Sequence, residues 1–131
     1  MYKKCKQTNK TMDVKIGLII LCIDINKNTP QILLEDGRIP VVDMCDHPFF
    51  ICKDICNQFL EIDVDWLQFT LVDAKYDGDL TIYYTCMVPK TIKIKDGTWN
   101  NIGATHEDFQ ELVFKAGQKV ISSQCFNYIR S

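Results

Sequence analysis

The stretch Val14-Lys-Ile-Gly-Leu-Ile-Ile-Leu-Cys-Ile-Asp24 is nearly continuous in apolar and β-branched side chains, and it limits the fold more than any other part of the chain. A strand turns successive side chains to opposite faces, so a run without polar alternation has to be covered on both sides. We read it as the central strand of a sheet with a layer packed on each face. Its strongly apolar part, Ile16 to Ile23, is eight residues long, against the roughly 20 that span a bilayer. Lys3, Lys4 and Lys6 precede it, but Thr8 to Asp13 intervene and no small-residue cleavage site follows, so the pattern is not that of a signal peptide. The expected location is the cytoplasm, with no membrane partner.

The chain has 131 residues and is 47% hydrophobic, which suits a single domain with a real core. Residues 1–12 are polar and aperiodic and are expected to be a flexible arm, leaving residues 13–131 as the domain. Fifteen basic against 17 acidic residues give a formal charge of −2, so no global field draws the chain to nucleic acid. The seven cysteines are odd in number, scattered and mostly set in apolar segments, a pattern of reduced core thiols. Cys45, His47, Cys52 and Cys56 contain no Cys-x-x-Cys pair, and Cys52 and Cys56 share an apolar helix face, which argues against zinc.

Turn signals divide the remainder. Asn26 to Pro30 is a turn leading into a short strand, Gln31 to Leu34, which forms a hairpin with the central strand. After Glu35-Asp-Gly37 the chain is irregular or extended from Arg38 to Met44. A helix then covers Asp46 to Glu61, with Asp46 as N-cap and Pro48 in the first turn, where its missing N–H costs nothing. Phe49, Cys52, Ile55, Cys56 and Phe59 form its inward face, while Phe50, Asp54, Asn57, Gln58 and Glu61 lie on another. Trp66 to Ala74 and Leu80 to Val88 flank Asp77-Gly78 as a second hairpin, and Pro89 ends its second strand. Thr91 to Lys95 reads as a short exposed edge strand guarded by lysines. Thr105 caps a second helix through Phe109, Leu112, Val113, Ala116, Val120 and Ile121.

This order, with a loop leading into the first helix and a Trp shortly before the last, resembles the Nudix hydrolase superfamily over roughly Val14 to Ile121. The resemblance implies an α/β (α+β) fold, an α/β/α sandwich with a mixed central sheet and two main helices. It also implies glutamates on the first helix that hold Mg²⁺ or Mn²⁺ and help water to attack a diphosphate linkage. Laid on that signature, Lys53 falls on the arginine, Asp54 on the first helix glutamate and Ile55 on the apolar position. Asn57 and Gln58 fall on the paired glutamates, Leu60 on the glycine, Cys45 on the upstream glutamate and Ile39 on the first glycine.

Mg²⁺ is a hard ion held mainly through anionic oxygens, and Asn57 and Gln58 offer none. Losing two anions also removes much of the field that would stabilise a metal-bound hydroxide. Asp54 and Glu61 are seven residues apart, about 10 Å along a helix, and are poorly spaced to share an ion. The leading expectation is a catalytically degenerate Nudix-like domain, with no cofactor, that binds a nucleotide-type small molecule or a protein partner through Lys53, Asp54, Asn57, Gln58 and one of Tyr83 and Tyr84. Those adjacent tyrosines must point to opposite faces. The alternative is a divergent Mg²⁺-dependent pyrophosphohydrolase using Asp43, Asp46, Asp54 and Glu61. A scaffold that assembles through the Thr91 to Lys95 edge is a third reading. A small Lys-, Asn- and Ile-rich chain is compatible with a viral or phage accessory protein.

Overall fold

A computed structural model describes residues 13–24, 29–89, 91–102 and 109–119. The expected arm at residues 1–12, the Thr105 cap and the helix beyond residue 119 lie outside these. The strands are β1 (Val14–Asp24), β2 (Thr29–Leu34), β3 (Val41–Asp43), β4 (Thr70–Asp77), β5 (Asp79–Pro89) and β6 (Thr98–Asn101). The first helix, α1, spans Pro48–Phe59, and residues 109–119 form a second helix, α2. The sheet order is β4-β5-β1-β2-β6, with β3 also paired to β1.

The apolar run is central, as its composition requires. β1 and β5 run parallel from Val14↔Leu80 to Ile23↔Pro89. The other edge of β1 is shared, antiparallel, between β3 at Lys15 to Gly17 and β2 from Leu21 onwards. One parallel pair among antiparallel ones makes the sheet mixed. Ile16, Leu18, Ile20 and Cys22 point into a cluster with Ile51, Cys52, Ile55, Cys56 and Phe59 of α1. Ile19 and Leu21 point the other way, into a cluster with Leu112, Val113 and Ala116 of α2. Each fully buried aliphatic chain of β1 contributes about 1.5–3 kcal/mol relative to exposure. The α/β/α layering follows from this two-sided demand.

Several local expectations are corrected. The N-cap of α1 is His47, whose Nδ1 accepts from the Phe49 N–H at 3.2 Å, while Asp46 accepts from the His47 N–H at 2.7 Å. Phe49 is 45% exposed because it sits in the first turn at the rim of the core, and Ile51 takes the inward place. The helix stops at Phe59: Leu60 is extended and fully buried, and bridges Ile94. Hydrogen bonds Glu61 N to Lys93 O and Lys95 N to Phe59 O tie the chain there. Glu61 is therefore outside the helix, and the 91–95 segment closes the helix end rather than forming an edge strand. The edge is β6, paired to β2 from Gln31↔Asn101 to Leu34↔Thr98. Trp66 to Phe69 are not strand; a 3-10 turn, Val64–Trp66, precedes β4. The turn at Asp36-Gly37 has positive φ at both residues, 51° and 76°, which closes a two-residue hairpin between Glu35 and Arg38. Cys45 is disulfide-bonded, unlike the free thiols of Cys52, Cys56 and Cys86. It lies on the loop before α1, only partly buried, rather than on a core face.

Gly17 is needed for packing. A Cβ there would lie 2.5 Å from Cε1 of Tyr83, whose ring is held across β1. Gly17→Ala is expected to cost about 1–3 kcal/mol in urea unfolding through this overpacking. In a Tyr83→Ala background the same substitution should cost little; additive costs would show that the ring does not set the requirement.

On the outer side, Lys115 of α2 meets Asp73 of β4 at 2.9 Å. The hydrogen bond from Lys115, helped by the Ala74 N–H, holds the Asp73 carboxyl below its ordinary value. A lowered carboxylate stabilises the fold above about pH 4 and loses that contribution as pH falls through the lowered value. The stability gap between the native sequence and Asp73→Asn should therefore shrink on acidification below about pH 4, and should shrink with salt at neutral pH. A gap independent of both would assign the loss to packing.

Candidate functional site

The outward side of α1 carries two rows at four-residue spacing: Phe50, Asp54 and Gln58 in one, Lys53 and Asn57 in the other. All are exposed except Lys53, which is partly buried. The first half of these rows walls a cleft of about 610 Å³ whose opposite side is Asp65 and residues 67–70. Its position follows from the chain path. Pro48 and the His47 cap begin α1, while Asp63 accepts from the Asp65 N–H at 3.1 Å to turn the chain back toward β4.

Aromatic surface dominates the cleft. Phe50 is 56% exposed and Phe49 45%. The His47 ring meets Phe49 and Phe50 edge-on, with centroids 5.3 and 5.9 Å away. Phe49 lies 6.4 Å from Phe69 and 5.9 Å from Tyr84. Tyr84 thus supports the rim from inside the core, where burial raises its hydroxyl pKa. Lys53 Nζ lies 3.3 Å from Asp65 Oδ1 and 6.0 Å from the Phe50 ring centroid.

Lys53 therefore lines this cleft, Tyr84 reaches it only through Phe49, and Asp54, Asn57 and Gln58 continue from it along α1. Tyr83 does not join them. It faces α2, edge-on to Phe109 at 6.4 Å, and lines a separate cleft of about 520 Å³ with Lys15, Lys75 and Asp79. Phe49, Asp65 and Gln68 were not singled out for a site by sequence reading. Phe50 was the available signal, an aromatic ring on the polar side of an amphipathic helix. Asp65 and Gln68 had none, since only the tertiary fold brings them to α1.

The four acids of the metal-dependent reading lie on different parts of the chain. Asp43 lies on β3, Asp46 on the loop, Asp54 in mid-helix and Glu61 beyond the helix end. Among the described residues no three His, Cys, Asp or Glu side chains are placed to hold an ion. The two rows supply side-chain amides at Asn57 and Gln58, and the Asn57 backbone carbonyl accepts from Lys95 Nζ at 2.8 Å.

No protein-family model matches the sequence, and no curated protein does. Solved structures do. A MutT/nudix family protein from Enterococcus faecalis superposes with TM-score 0.54 at 10% identity, over 76% of this chain and 47% of that one. The NUDIX domain of Shewanella oneidensis NrtR, solved with ADP ribose, superposes with TM-score 0.59 at 11% identity, over 84% of this chain and 89% of that one. This chain has a Nudix-like fold. It spans about half of the Enterococcus protein (47%) and most of the Shewanella domain (89%). No helix among the described residues is long and apolar enough to cross a membrane.

Beneath the Nudix-like helix the thiols are chemically quiet. Burial, followed by the neighbouring Cys56, pushes Cys52 up to about 12. Cys86 is raised through its contact with Cys56, Sγ to Sγ 3.9 Å, and by burial. Iodoacetamide at about pH 8 should label Cys52, Cys56 and Cys86 at least tenfold more slowly in the native protein than in urea, read by peptide mass spectrometry. Native labelling as fast as in urea would mean that α1 detaches readily from the sheet.

Proposed function

We infer that this domain binds a nucleotide-type ligand without cleaving it, in the cleft beside the start of α1. The observation that carries the reading is the chemistry of the exposed α1 rows. A Nudix-like helix here presents Asn57 and Gln58 where a divalent-metal site needs carboxylates, next to a cleft rich in exposed aromatic rings. Phe49, Phe50 and Phe69 offer stacking surface, and Lys53, Gln68 and Thr70 offer hydrogen-bonding groups. The ADP ribose in the Shewanella domain gives the first compound to try.

The pyrophosphohydrolase reading would need Asp43, Asp46, Asp54 and Glu61 to converge, and their dispersal over four segments argues against it. A protein partner is a second reading on the same surface, favoured by the exposure of Phe49 and Phe50.

The test is a thermal-shift and calorimetric screen of ADP-ribose and nucleoside diphosphates, with Mg²⁺ or with EDTA, and chromatography of the products. We expect stabilisation of about 2.7 kcal/mol at ligand near 100 times Kd, equal in EDTA, and intact ligand afterwards. Mg²⁺-dependent cleavage that Asp54→Ala abolishes would overturn the reading in favour of an enzyme.

A further inference from the structure

The geometry points to a cleft that reads the base of its ligand and is kept nearly indifferent to the phosphates by Asp65. The inference rests on the binding reading above and specifies which half of the ligand does the binding.

Three observations converge. The first is charge. Lys53 and Asp65 are the cleft's one lysine and one carboxylate, 3.3 Å apart. The two charges offset each other, so a phosphate approaching Lys53 must displace or repel the Asp65 carboxylate. Such an exposed pair adds little to stability, yet it cancels the field an anion would feel.

The second is the start of α1. A helix N-terminus attracts phosphate through its free N–H groups. Here Pro48 has none, the Phe49 N–H is given to His47 Nδ1 at 3.2 Å, and the Ile51 N–H is given to His47 O at 3.1 Å. Within that first turn, Phe50 keeps the amide not already engaged in one of these contacts. The His47 cap and Pro48 together leave Phe50 as the one open amide of that turn.

The third is what remains. Phe49 and Phe50 expose ring surface suited to stacking, which accepts any base and needs no charge. His47 Nε2 is left over once Nδ1 serves as the cap acceptor, and Gln68 and Thr70 add a carboxamide and a hydroxyl at the cleft. Those are groups for the edge of a base or for ribose hydroxyls. The chemical class is therefore a nucleoside moiety, whatever is esterified to it.

The experiment is calorimetry of the full chain with adenosine, guanosine, cytidine and uridine and their 5′-diphosphates, in EDTA, at low and moderate salt. The expected result is that the best nucleoside and its diphosphate bind within about threefold of each other, with little salt dependence. Phe50→Ala should weaken both by about tenfold, as loss of one stacking ring does. Asp65→Asn should then create a phosphate preference, raising the diphosphate affinity over the nucleoside's by about fivefold or more by releasing Lys53. That gain is not expected of a merely structural aspartate, and Asp65→Asn with Lys53→Met should cancel it. Diphosphates that bind tenfold or more tighter than nucleosides in the native sequence would overturn the inference while leaving nucleotide binding standing. Absence of binding by every compound would overturn both.

Discussion

Two-sided burial of β1 is the constraint on which the rest of the structure depends. Ile16, Leu18, Ile19, Ile20, Leu21 and Cys22 have no solvent exposure at all. Covering only one face would leave either the Ile16 row or the Ile19 row in water, a loss of several kcal/mol against a total stability of roughly 5–15 kcal/mol. Two helical layers are therefore required, and both arrive from sequence-distant segments. The parallel alignment of β1 with β5 carries the same demand outward: Cys86 and Val88 extend the α1 side, and Tyr83 the α2 side. Gly17 allows that second side to close, because its missing Cβ is where the Tyr83 ring lies.

The cleft is a by-product of how α1 is anchored. Its inward residues fix it to the Ile16 row, and the bonds from residues 93 and 95 fix its end. With both settled, the outward rows are free of packing demands, and evolution can change them at little cost to the fold. The first turn projects past the core, so Phe49 and Phe50 become surface where the 67–70 segment passes. Fold and site chemistry thus reside on opposite sides of one helix.

The same division explains what could be read in the sequence. The unbroken run at Val14 to Asp24 and the Asp77-Gly78 turn are local signals strong enough to fix β1 and the β4–β5 hairpin. The inward face of α1 was legible apart from Phe49, because periodicity gives phase but not how far a helix overhangs its sheet. The N-cap moved from Asp46 to His47 because either side chain can accept an amide proton, and boundaries shift by a residue or two on such choices. Segment 91–95 has the alternation of a strand, but the bridge from Leu60 to Ile94 takes its hydrogen bonds, and β6 pairs with β2 instead. That exchange depends on contacts tens of residues apart. Asp65 and Gln68 were invisible for the same reason, and a disulfide at Cys45 carries no local signal.

The Asn57 row of α1 also carries positive charge. Lys95 Nζ sits at the Asn57 carbonyl, 2.8 Å away, and Lys53 lies one turn earlier in the same row. A cation brought to the Asn57 backbone would meet the Lys95 ammonium, which opposes it. Asp65 offsets only the Lys53 end. Lys95 ties off the end of α1 and holds its charge there. The closure that stops the helix at Phe59 also brings Lys95 to the end of α1, so the same contacts set where the helix ends and what charge lies beside it.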